Sequence, residues 1–121
     1  MRHLFTVFLV LNLLAETLAA GTLIGGPLGL QAPELIEGSR WAMNYGFAVI
    51  AIASASLWVW GKRTSLIAVT PVLGILMVFH VCLAMALSMD STQFAGFILH
   101  SVLAVIAIAL FATRAQWCSS D

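Results

Sequence analysis
Residues 66–113 read LIAVTPVLGILMVFHVCLAMALSMDSTQFAGFILHSVLAVIAIALFAT. Two apolar runs, Leu66–Ser88 and Phe94–Thr113, flank one short polar stretch around Met89-Asp90-Ser91-Thr92. Each run has about 20 residues, the length an α-helix needs to cross about 30 Å of hydrocarbon. Backbone polar groups in lipid must bond within their own segment, so both runs read as helices and the polar stretch as a tight turn. His80 stands about ten residues before that turn and His100 about ten after it. With a rise of about 1.5 Å per residue, the two rings are predicted at nearly the same depth.

Two more apolar runs of similar length precede this hairpin, at about 4–24 and 41–60, separated by a loop over about 25–40. The expected fold is therefore all-α: an integral membrane bundle of four helices in a single domain. Composition agrees, since 62% of the 121 residues are hydrophobic and only 8% charged, whereas a soluble domain carries about 25% charged residues. The formal net charge is zero, and no run of Lys or Arg offers a nucleic-acid footprint.

Local signals refine the drawing. Ala32-Pro33-Glu34 reads as the start of a short helix in the loop, with proline in its first turn and an acidic residue at its positive end. Gly61-Lys62-Arg63-Thr64 joins the second and third spans tightly, and Pro71 falls about one turn inside the third, where it is expected to bend the helix. The turn Met89-Asp90-Ser91-Thr92 offers two capping candidates for the fourth span. Arg2, Lys62, Arg63 and Arg114 share one side of a four-span drawing and only Arg40 falls on the other. The positive-inside rule then puts both termini in the cytoplasm, and the compact chain suggests a bacterial inner membrane. Trp41, Trp58, Trp60 and Trp117 stand near span ends and are expected at the interface. Cys82 and Cys118 fall on opposite sides of this topology, so they read as a small core residue and a free thiol. A competing reading takes Arg2 with Leu4–Leu14 and Thr17-Leu18-Ala19-Ala20 as a cleaved secretory signal. Against it, the apolar run continues to Ile24 and Glu16 stands just before the cleavage position.

Ionisable side chains within a membrane segment are costly, which makes them default candidates for function. Glu16 lies about eight residues before the outer end of its span, about 12 Å deep and hence at the level expected of His80 and His100. Asn12 precedes Glu16 by one turn on the same face, and Asn44 lies about one turn inside the second span. Gly96, Ala104 and Ala107 form a small-residue stripe beside His100, and Ala48, Ala51 and Ala55 a similar one below Asn44. Four readings of this layer stay open. The polar residues lock the helices by pairing with one another, or they bind a small molecule or proton, with Glu16 as the titrating carboxylate and the histidines as relays. The third is a metal ion on His80, His100 and Glu16, since two imidazoles and a carboxylate suit zinc or iron. The fourth is a haem between His80 and His100, which neighbouring helices about 8–10 Å apart accommodate poorly. For Asn44, Tyr45 and Arg40 the competing role is anchoring at the interface. No phosphate loop, CxxC, HExxH or nucleophile-elbow motif is present.

Two resemblances follow from these residues. A first span ending in Gly25-Gly26, a loop, a second span opening with Arg40-Trp41-Ala42-Met43-Asn44-Tyr45-Gly46 and a fourth span with a histidine resemble the small four-helix membrane proteins of the DoxX-like group. That likeness covers most of the chain in outline. It implies a four-helix membrane fold without fixing a function, some members being linked to oxidoreductase or redox-stress complexes. Leu13-Leu14-Ala15-Glu16 is similar to the first span of small multidrug resistance transporters, where a glutamate binds protons and cationic drugs in turn, and this would give that role to Glu16 alone. The chain departs from that family in its long first loop and its histidine pair. The sequence thus predicts a membrane protein with an intramembrane pocket for a small molecule or partner at Glu16, His80, His100, Asn12 and Asn44. A proton-coupled transporter acting as a homodimer, and a structural subunit of a larger membrane complex, are the competing classes.

Overall fold
A computed structural model of the chain describes residues 1–25 and 39–119. The described residues form four long helices: α1 Arg2–Gly25, α2 Ser39–Trp60, α3 Leu66–Leu87 and α4 Phe94–Trp117. A 3-10 turn, Ser91–Gln93, leads into α4. The expected all-α class is present, and each helix is long and apolar enough to cross a membrane. The short helix expected from Ala32-Pro33-Glu34 lies outside the described residues.

The contacts divide the chain into two compact parts. The first, the hairpin part, contains Met1–Phe8 at the start of α1 and the chain from Val59 onward. Here α3 and α4 pack side by side as the short turn between them dictates. Asp90 organises that turn. Its carboxylate accepts the Thr92 N–H at 2.9 Å and the Thr92 hydroxyl at 2.7 Å. These bonds to the charged form, the hydroxyl's first and the backbone N–H's second, hold the Asp90 carboxyl below the usual carboxylate range. Of the two candidates, Asp90 is the cap, and it caps the 3-10 turn rather than α4 directly. Gly96 lets α4 approach the end of α3, because a Cβ there would stand 3.2 Å from Leu87 Cδ1. α3 continues through Pro71, whose missing N–H falls near the helix start on an exposed face.

The opposite end of this part is closed by the chain's own termini. Arg2 Nε donates to the Trp117 carbonyl at 2.6 Å, and the Phe5 and Trp117 rings lie 5.2 Å apart. Ser119 pairs with the turn before α3, its N–H donating to the Thr64 carbonyl at 2.7 Å and its carbonyl accepting from Leu66 N–H at 2.9 Å. Trp117 is therefore only 6% exposed. α4 runs past Thr113, the expected end of the apolar span, and turns this ring inward against Phe5. Trp41 and Trp58 do stand exposed. Cys118 and Cys82 are both free thiols. Burial pushes the Cys118 thiol up while Arg2 and Arg114 pull it down, and the net rise keeps it a thiol, the poorer nucleophile. Cys82 is exposed rather than in the core, because it stands two residues, about 200° of helix, from buried His80.

The second part holds α1 from Leu9 and α2 as far as Trp58. Leu9, Asn12, Glu16 and Ala20 form the buried stripe of α1, and Gly46, Val49, Ala53 and Ser56 that of α2, each at the three- and four-residue steps of a helix face. The backbones approach closely at Gly46. A Cβ there would lie 2.7 Å from Ile24 Cγ1 and 3.1 Å from Leu23 Cβ, so only hydrogen fits without a shift of α1.

Across both parts the exposed faces are apolar, with Val7, Leu14 and Leu18 on α1, Phe47 and Ile50 on α2, Ile75 and Val78 on α3, and Val102 and Val105 on α4. Among the described residues the buried polar ones are Asn12, Glu16, Ser56, His80 and His100. Apolar outer faces depart from the pattern of a water-soluble helical protein, whose outer faces are polar.

Candidate functional site
His80 comes from α3 and His100 from α4, in the interior of the hairpin part. The turn after Leu87 sets the register of the two helices, and the small buried residues Ala84, Ala104 and Ala107 leave the rings room to meet. Nδ1 of one lies 3.0 Å from Nδ1 of the other, with ring centroids 5.3 Å apart and planes tilted by 31°. His80 is fully excluded from solvent and His100 is 6% exposed. Aromatic edges surround the pair. Phe79 meets His80 at 5.3 Å and His100 at 6.3 Å, and Phe8 meets His80 at 5.8 Å, with interplanar angles of 64°, 85° and 80°.

This geometry restricts the protons. A hydrogen bond between two Nδ1 atoms needs a donor on one and a lone pair on the other. In the neutral pair one ring therefore carries its proton on Nδ1 and its partner carries one on Nε2. Two imidazolium rings would face donor to donor, so the pair in this arrangement carries at most one positive charge. Such a couple passes a proton between rings with little movement, and each Nδ1 is also a metal-ligating atom. A haem iron between the two Nδ1 atoms would need about 4 Å and space for a macrocycle, and rings in direct contact offer neither.

The second part carries a different polar set. Asn12 Nδ2 donates to Ser56 Oγ at 2.8 Å, joining α1 to α2. Glu16, one turn beyond Asn12 on the same face of α1, is 1% exposed. A carboxyl so placed in an apolar helix is a functional candidate by its cost alone.

The expected site residues thus fall as follows. His80 and His100 face one another. Asn12 and Glu16 share the buried stripe of α1. Asn44 is exposed, because it stands two residues before Gly46 and so points about 200° away from the buried face of α2. Ala48 and Ala51 are exposed with it, so the small-residue stripe expected below Asn44 is not the buried one. Ser56 was not anticipated. Its signal was its step of three residues from Ala53 and seven from Val49. Comparison with known families, with characterised proteins and with solved structures finds no match to the chain.

Proposed function
We propose that this chain is a small integral membrane protein that binds a small molecule inside its helical hairpin, at His80 and His100. One observation carries the reading: two titratable rings in direct contact, buried between helices whose outward faces are apolar. Locking two helices needs no ionisable group, and small apolar residues do it at lower cost in lipid. The DoxX-like layout belongs to this proposal, as does a bacterial inner membrane with both termini in the cytoplasm. In its support, Arg2, Arg114 and the Lys62-Arg63 turn gather at one end of the hairpin part, where Arg2 bonds to Trp117 and Ser119 to Thr64.

A second reading, proton-coupled transport by a homodimer, is favoured by the burial of Glu16. Native mass spectrometry of the protein released from lipid nanodiscs separates the two. Binding at the pair predicts a co-purifying small molecule that the His80→Ala/His100→Ala double variant loses. Transport predicts instead pH-driven solute flux in vesicles that Glu16→Gln abolishes while the protein stays folded. A chain that carries nothing, moves nothing and is stable only with another subunit would defeat both.

A further inference from the structure
We propose that His80 and His100 bind a divalent transition-metal ion of the zinc class between their Nδ1 atoms. The inference rests on the reading of the histidine pair as the binding locus and names its occupant. Two nitrogens bound to zinc at about 2.0–2.1 Å in tetrahedral geometry lie about 3.3 Å apart. The Nδ1 atoms are 3.0 Å apart. Seating the ion needs an opening of a few tenths of an ångström, which small rotations of two side chains supply. Imidazole is a favoured ligand of Zn, Cu and Ni, and the two rings come from two different helices with their orientations held by Phe79 and Phe8. The site is thus largely formed before the ion arrives, unlike a pair of surface histidines.

The proton count balances. In the neutral pair the Nδ1 proton of the donor ring moves to Nε2 of that ring, both Nδ1 lone pairs face the metal, and no proton is released. Two protein nitrogens fill two of four tetrahedral positions. Anionic or water donors take the others and reduce the charge brought into the apolar interior.

The test uses the full chain in mild detergent, stripped with a chelator and then titrated with Zn²⁺ against a chromophoric competitor, and with Co²⁺ for its visible ligand-field band. One equivalent per chain is expected. His80→Ala and His100→Ala should each weaken binding by at least about 100-fold, beyond what loss of an outer partner costs. His3→Ala, at an exposed histidine, should leave binding unchanged. Because the alanine variants risk misfolding, nitrogen NMR of the wild-type protein provides a separate readout: Zn²⁺ should shift Nδ1 of two histidines and spare the third. No binding above a detergent blank, binding that survives both alanine changes, or binding through His3 overturns the proposal. If a co-purifying organic molecule still depends on the pair while no metal binds, the metal is wrong and the binding reading stands. If neither binds, both fall.

Discussion

The two parts of the molecule bury polar groups in opposite ways. In the hairpin part a pair of like groups, two imidazoles, meet at 3.0 Å between helices adjacent in sequence. In the other part an amide donates to a hydroxyl across 44 positions, and the helices close on a glycine rather than on rings. The Asn12–Ser56 bond is neutral with fixed roles, since the amide nitrogen can only donate. The histidine pair has interchangeable roles, and its protons can be rearranged by chemistry. A bond with fixed roles holds helices together. One with exchangeable roles does that less economically, which is why the hairpin is the better place to look for function.

Removing one partner should break the two regions to different degrees. His80→Ala deletes a fully buried ring and its 3.0 Å Nδ1 contact with His100. Loss of a buried hydrogen bond costs about 0.5–1.5 kcal/mol, and lost packing against Phe8 and Phe79 adds to it. A destabilisation of about 2–3 kcal/mol is expected. Reversible unfolding in mixed micelles would measure it, and a loss below about 0.5 kcal/mol would mean that the pair is not the tight contact seen here.

Ser56→Ala is the matching cut in the other part and should cost much less. Interhelical hydrogen bonds of this kind average about 0.6 kcal/mol in membrane proteins, because the partner finds substitutes in the unfolded state. The same unfolding measurement checks it. A cost equal to that of His80→Ala would erase the contrast between a holding bond and a chemical one.

The contrast between the parts also explains what the sequence could reveal. The equal depth of the two histidines was legible because a short turn ties α3 to α4, whereas their meeting face to face was not. Cys82 was legible in principle too: once His80 points inward, a residue two positions on points out. Ser56 was not, since α2 carries Ser54 and Ser56 side by side and only the rotation of the helix decides which is buried. Asn44 shows the same limit, since its depth can be read from the sequence but not its azimuth. The apolar run fades at Arg114, whereas the helix continues until Trp117 has packed on Phe5. Depth follows from counting, and rotation follows only from packing.

The smallest expected effect sharpens the comparison at the turn that sets the histidine register. Asp90 is fully exposed, so its bonds to Thr92 compete with water, and Asp90→Asn keeps a side-chain oxygen that can accept them. The substitution removes the charge and little else. Because the folded carboxyl titrates below its usual value, its contribution is fully present above the unfolded value of about 3.9 and fades as pH falls through the lower folded value. Wild type and Asp90→Asn should therefore differ slightly and constantly in melting temperature near neutral pH, with the wild type the higher, and converge below about pH 4. Thermal melts across that range would show it. A difference that instead grew on acidification would mean that the charge opposes the turn, and the register of His80 and His100 would then owe nothing to Asp90.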